Sequence, residues 1–299
     1  MRTICVLCVT ATALSAIFVQ QAAAQTEEMI ARGAYLVNGP GACGNCHTKR
    51  GPDLLPMTSM FLAGGEKFDS PFYGLAHSKN LTSDKDTGIG TWTDAQVIRA
   101  LREGITKEGN AVGEPMPLAY FNKISDEDAT AIAAYLRTVT PIPNAVLESK
   151  YTVPLHSQPA AKGTAVLKTD KAAYGAYLVT VAHCLECHTP RNAQGETDYS
   201  AKLGAGGRTF FPIPGKVVRS ANITSDKETG LGNWTNFEIK RAMTEGIGKD
   251  GRKLIPQMPY PYFKTMTNED LDTIIAYVRT IPAITNKVPE NPSVQIYLQ

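Results

Sequence analysis

Cys43-Gly44-Asn45-Cys46-His47 is the stretch from which this chain is read. Two cysteines three positions apart, followed at once by a histidine, have the spacing at which a c-type haem is attached. Each part of that spacing has a chemical reason. The two thiols add to the two vinyl groups of one porphyrin, so they must lie about one helical turn apart. The adjoining histidine falls beneath the iron and supplies an axial nitrogen. The pattern returns as Cys184-Leu185-Glu186-Cys187-His188. One match alone would leave room for a structural zinc or a thiol-redox site; two inside a repeated frame point to two covalent haems.

The frame is an internal repeat of the kind that settles architecture first. Gly33-Ala34-Tyr35-Leu36-Val37 returns as Gly175-Ala176-Tyr177-Leu178-Val179, a shift of 142. The two histidines are 141 apart, so the second copy has lost one residue between these markers. The shift is 142 again at Gly64-Gly65, at Asn80-Leu81-Thr82-Ser83-Asp84-Lys85, at Trp92 and at Tyr135-Leu136-Arg137-Thr138. Two copies make tandem domains, expected over residues 25–140 and 170–299. Residues 141–169, with Pro141, Pro143, Pro154 and Pro159, read as an extended, stiff linker running along both surfaces.

Within each copy the pattern predicts an all-α fold. Opening helices are expected over about 27–38 and 170–181, then a long loop rich in glycine and proline. Thr93-Asp94-Ala95-Gln96 and Thr235-Asn236-Phe237-Glu238 read as capping boxes, with Gly104 and Gly246 placed as left-handed C-terminal caps. Last helices begin at Ser125 and Thr267, where Asp128 and Asp270 stand in for the usual fourth-position glutamate. Ile132, Tyr135 and Leu136, repeated as Ile274, Tyr277 and Val278, form an apolar stripe. That stripe is expected to pack on the Gly33/Tyr35 and Gly175/Tyr177 faces, and Pro141 and Pro282 stop the helices.

A haem iron held by one histidine can be closed by a second ligand or left open, and the choice separates electron transfer from catalysis. The repeat acts as a filter. Met116, in Glu114-Pro115-Met116-Pro117, returns as Met258 in Pro256-Gln257-Met258-Pro259, 69 and 70 residues after the respective histidines. Flanking prolines stiffen each loop, and Phe121 and Phe263 follow five residues later, placed to cover a haem edge. Met57, Met60, Met243 and Met266 have no methionine at the shifted position and read as packing residues. His77, His156 and His183 fail the same filter. Trp92 and Trp234, with Asn80 and Asn222, suit either haem propionates or plain turn chemistry. Asp84, Asp86, Asp226 and Glu228 do not have the spacing of a calcium loop and read as a solvated turn.

The chain has 299 residues, 43% of them hydrophobic and 19% charged, with a formal net charge of +2. That balance gives no reason to expect nucleic acid as a partner. Arg2, an apolar run through Val19 and small residues up to Ala24 read as an exported leader over 1–24, cleaved after Ala24. Cys5 and Cys8 fall inside it, so the other four of the six cysteines are the two haem pairs and none remains for a disulfide. At most a peripheral association with a membrane is expected of the rest, since no other stretch approaches 18 apolar residues.

Taken in order, Gly33-Ala34-Tyr35-Leu36-Val37, the C-x-x-C-H pentapeptide, Gly64-Gly65, Asn80-Leu81-Thr82-Ser83-Asp84, Thr87-Gly88-Ile89-Gly90-Thr91-Trp92-Thr93, Met116-Pro117 and Ala134-Tyr135-Leu136-Arg137, with their second copies, resemble class I cytochromes c. More closely, they are similar to the multihaem cytochrome c subunits of bacterial alcohol, gluconate and aldehyde dehydrogenases. The resemblance covers nearly all of the chain after residue 24. It implies two covalently bound haem c, attached through Cys43, Cys46, Cys184 and Cys187, with His47, Met116, His188 and Met258 as iron ligands. It further implies a periplasmic carrier passing single electrons towards the respiratory chain. The donor would be a quinoprotein, flavin or molybdenum dehydrogenase, and the acceptor a terminal oxidase, another cytochrome or a quinone. The best-known relatives carry three haem units and a membrane attachment, whereas this chain has two units and no evident anchor. The rival reading is a dihaem enzyme with a displaceable axial ligand, of peroxidase or thiosulfate-oxidising type; a haem-based sensor is a further one, with no output module to support it.

Overall fold

The computed structural model of the chain describes residues 26–159, 163, 165–213 and 216–291; the expected leader lies outside them. Each unit opens with a helix, α1 over 26–38 and α6 over Lys171–Val181. The backbone then takes a left-handed step, at Ala42 (φ 44°) and at His183 (φ 40°), into a short helix carrying the cysteines. These are α2, Cys43–His47, and α7, Cys184–Cys187.

Further on, α3 (Asp94–Glu103) and α8 (Asn236–Glu245) begin at complete capping boxes, Thr93 with Gln96 and Thr235 with Glu238. Both end at a glycine in the left-handed conformation, Gly104 (φ 68°) and Gly246 (φ 65°), as the sequence predicts. Short helices α4 (Leu118–Phe121) and α9 (Tyr260–Phe263) follow, each entered through a proline. The last helices are α5 (Asp126–Thr138) and α10 (Asn268–Val278), capped by the Ser125 and Thr267 side chains.

Glycine lets the first and last helices of each unit cross at backbone distance. A Cβ on Gly33 would lie 1.9 Å from the Ala131 oxygen, and one on Gly175 would lie 2.8 Å from the Thr273 oxygen. Neither tyrosine beside these glycines stays with its own unit. The Tyr35 hydroxyl donates to Asp270 at 2.5 Å and the Tyr177 hydroxyl donates to Asp128 at 2.6 Å, each reaching the last helix of the other unit. Around these crossed bonds the apolar side chains of both units merge into one core, with Leu36, Ile132 and Leu136 from the first and Leu178, Ile274 and Ile275 from the second.

The expectation of an all-α fold does not hold. The chain is 34% helix and 10% strand, a mixed architecture. The glycine- and proline-rich segment after each cysteine motif, read above as loop, contains an antiparallel hairpin. In the first unit β1 (Lys67–Ser70) pairs with β2 (Gly74–His77), and β3 (Lys150–Tyr151) adds to β2. In the second, β4 (Thr209–Ile213) pairs with β5 (Lys216–Arg219). Strands of four or five residues are below the mean length and give too little alternation to stand out beside turn residues.

What holds each hairpin in place is a strap that leaves the last helix and doubles back. Asn80 donates to the Ile142 oxygen (2.8 Å), and Asn144 to the Ala63 oxygen (2.8 Å). The second unit repeats both bonds, from Asn222 to Ile284 (2.8 Å) and from Asn286 to Ala205 (2.8 Å). In the first unit the strap continues into β3; in the second the Asn291 side chain brackets Arg219 instead. No helix among the described residues is long and apolar enough to cross a membrane.

Candidate functional site

The left-handed step at Ala42 and His183 aims α2 and α7 so that all four cysteines lie on the wall of a cavity. None is in a disulfide. Burial pushes the thiols of Cys43, Cys184 and Cys187 up to about 12, and raises Cys46 as well. A structural zinc site needs further ligands beside each thiol pair. Among the described residues no group of three histidine, cysteine or acidic side chains could hold a metal ion. Zinc is therefore the weaker reading, and neutral thiols facing an apolar cavity suit addition to a porphyrin.

The histidines are oriented identically. The Nδ1–H of His47 donates to the Lys79 oxygen at 2.8 Å, and that of His188 to the Ala221 oxygen at 2.7 Å. A carbonyl can only accept, so the bond fixes the tautomer and leaves Nε2 with its lone pair free for a metal. Burial lowers both histidine pKa values, which keeps the ring neutral. The backbone adds a second hold. Gly64 N donates to the His47 oxygen (2.7 Å) and Gly206 N to the His188 oxygen (2.8 Å). Both glycines have φ above 70°, and a Cβ on either would lie within 2.7 Å of the backbone that carries the accepting carbonyls. That close approach excludes any side chain.

Met116 and Met258, half-buried against the core, line the same cavity as the cysteines and histidines. The structure thus brings all eight candidate residues to one space, of about 2760 Å³. This is well above the size of a pocket for one drug-sized ligand. The cysteine motifs of both units thus share one cavity wall. An apolar, doubly sized cavity with paired thiols and an Nε2-exposing histidine on each side fits two haem groups.

The helices that follow the methionines cross over between units. Phe121 lies edge-to-face on His183, with ring centroids 5.7 Å apart. Tyr120 packs on Tyr199 at 6.0 Å, while its counterpart Tyr262 sits against Gly44. Each unit therefore covers the cysteine motif of the other. Trp92 and Trp234 both line the cavity. Asn80 and Asn222 line it as well, and commit their side chains to Thr82, Thr87 and Ile142 and to the matching second set. They are turn and strap residues. Asp84 and Asp226 are likewise filled by the amides and hydroxyls of Thr87 and Thr229, which hold both carboxylates below their ordinary range.

Sequence reasoning missed the residues that join the units. Asp128 and Asp270 look like weak capping-box partners, but they accept the crossed tyrosine bonds instead; Arg32 also pairs with Asp128 at 2.8 Å. The signal that could have found them is a polar pair, tyrosine and aspartate, repeated at the common shift on otherwise apolar faces. Two arginines also cross. Arg50 donates to the Pro256 oxygen at 3.2 Å, and Arg191 pairs with Glu114.

Comparison with known proteins agrees with this geometry. The sequence profile of the family described as cytochrome c matches residues 30–140 and again 172–282. A diheme cytochrome c-type protein of Cereibacter sphaeroides is 29% identical, over 82% of this chain and 83% of its own length. The fructose dehydrogenase cytochrome subunit of Gluconobacter japonicus is 30% identical, over 85% of this chain. A nicotinate dehydrogenase subunit from Pseudomonas putida is 29% identical, over 90% of this chain. The chain spans 53% of the length of the fructose dehydrogenase subunit and 22% of the nicotinate dehydrogenase subunit. With the profile matched twice and a diheme relative aligned along most of its length, this chain belongs to the cytochrome c family and carries two covalently bound haem c.

Proposed function

We propose that this protein is a periplasmic dihaem electron carrier. It takes single electrons from a dehydrogenase, as a partner or subunit, and passes them towards the respiratory chain. Cys43 and Cys46 hold the first haem and Cys184 and Cys187 the second. His47 with Met116, and His188 with Met258, are the axial ligands. Bound haem supplies one-electron iron chemistry. The residues of the chain fix each histidine through its Nδ1, hold each methionine between prolines, and exclude water with Phe121 and Phe263.

The observation that carries this reading is that both sets of candidate ligands line one cavity. Two haem groups in a shared cavity suit a two-step relay. A dehydrogenase as donor is supported by relatives named as cytochrome subunits of fructose, gluconate and alcohol dehydrogenases. The donor is a dehydrogenase of quinoprotein, flavin or molybdenum type, and the acceptor an oxidase, another cytochrome or a quinone. The leader read over residues 1–24 supports export.

The test is the visible spectrum of the exported protein, ferric and ferrous, with carbon monoxide added to the ferrous form. Two covalent haems per chain, a methionine-to-iron charge-transfer band and no carbon monoxide shift are expected. A prompt carbon monoxide shift would overturn the carrier reading for that unit and favour an open, catalytic iron.

A further inference from the structure

Glu114 lies two residues before Met116, yet its carboxylate belongs electrostatically to the other unit. It pairs with Arg191 and, at 3.7 Å, with Arg208. Arg191 follows His188 by three residues. Arg208 also pairs at 2.8 Å with Glu186, inside the second cysteine motif. All four side chains line the shared cavity.

The second unit does not return this arrangement. Arg50, at the position of Arg191, crosses to the Met258 loop but finds only the Pro256 carbonyl there. Its charge is met at home by Glu66, at 3.7 Å. The position of Glu66 is occupied in the second unit by Arg208, and that of Asn45 by Glu186. The first motif is therefore balanced by its own side chains. Among side chains, the second has two arginines against one glutamate, and Glu114 adds a further carboxylate to that group.

We propose that Glu114 is a positioning residue that couples the two haem sites, tying the Met116 loop to the second motif and placing a negative charge beside it. The proposal rests on the reading of Met116 and His188 as iron ligands. The reaction it tunes is a one-electron exchange in which one iron is oxidised as the other is reduced. Negative charge nearby favours the ferric form and positive charge the ferrous form. Removing the Glu114 charge therefore favours ferrous iron, and removing the Arg191 charge favours ferric iron. A contact that only holds packing behaves differently, because loosening it from either side admits solvent and moves both variants the same way.

The experiment is a potentiometric titration of the full-length holoprotein, followed by visible absorbance. It compares wild type, Glu114→Gln, Arg191→Gln, the double variant and Glu114→Asp. At fixed potential, Glu114→Gln is expected to raise the ferrous-to-ferric ratio roughly threefold in one of the two one-electron steps, a modest effect because the carboxylate is partly screened by solvent. Arg191→Gln is expected to lower the ratio by a similar factor. The double variant and Glu114→Asp are expected to lie close to wild type. Shifts of the same sign in both single variants, or none, overturn the coupling. A wild-type protein without the methionine charge-transfer band overturns the ligand reading beneath it, and so tells the two failures apart.

Discussion

Asp128 and Asp270 occupy the same place in the two units and are both buried, 7% and 3% exposed, but they are kept there differently. Asp128 accepts from Arg32 at two atoms, each at 2.8 Å, and from Tyr177. Asp270 accepts from Tyr35, and Tyr174 stands at the position of Arg32, so no arginine joins it. The same contrast recurs around the cavity, where Arg208 replaces Glu66 and Glu186 replaces Asn45. Repetition has preserved hydrogen-bond geometry while charge has drifted, and at the second cysteine motif the drift is answered across the unit boundary by Glu114.

The largest expected effect tests how closely the helix crossings match. Gly33→Ala drives a methyl group into the Ala131 carbonyl and is expected to cost about 3 kcal/mol. Gly175→Ala, with nearly an ångström more room, should cost about 1 kcal/mol. Urea unfolding of both variants measures the difference, and equal costs would mean that the two crossings adapt alike.

Next come the tyrosines. Tyr35→Phe leaves Asp270 buried without its tyrosine donor and is expected to cost about 2 kcal/mol. Tyr177→Phe leaves Asp128 with Arg32 and should cost about 1 kcal/mol. Reversal of that order in the same unfolding experiment would show that Arg32 does not compensate. Both phenols have raised pKa values, from burial and their aspartate partners. The folded protein therefore holds these protons where the unfolded chain releases them, and stability should fall as pH rises above about 10.

A smaller, one-sided effect is expected in acid. Burial lowers His183 to about 4, whereas its counterpart is Ala42. The unfolded chain takes up the proton near pH 6.5 and the folded one does not. Stability tied to this residue is complete above that pH and is lost as pH falls towards 4, by at most about 1.4 kcal/mol per pH unit. His183→Asn, which suits the left-handed backbone there, should flatten that limb of a stability–pH profile. The smallest expected contrast is between the capping boxes. Thr93→Ala and Thr235→Ala should each cost about 1 kcal/mol, with no difference between the units.

Much of this was legible in the sequence because repetition and spacing carry it. The cysteine motifs, both capping boxes, Gly104 and Gly246, and the pairing of Met116 with Met258 rest on local rules or on the common shift. The hairpins were not legible, because β1 and β2 have four residues each and lie among glycines that read as turns. The crossed tyrosines were hidden by a plausible local role for Asp128 and Asp270. Glu114 was hidden by the filter itself. Selecting what both copies share finds a common ligand and discards whatever one copy has alone.

The crossed tyrosine bonds have a consequence for how such a chain can exist at all. When residue i of one half meets j of the other, and j meets i in return, the contact is isologous, the kind a C2 dimer makes with a copy of itself. A single half would find in its own duplicate every donor and acceptor that Tyr35, Tyr177, Asp128 and Asp270 use here. A symmetric dimer, though, must write each change twice. Fusing the halves into one polypeptide lifts that constraint: Arg208 can appear on one side, Glu114 can answer it from the other, and a twofold assembly acquires a direction.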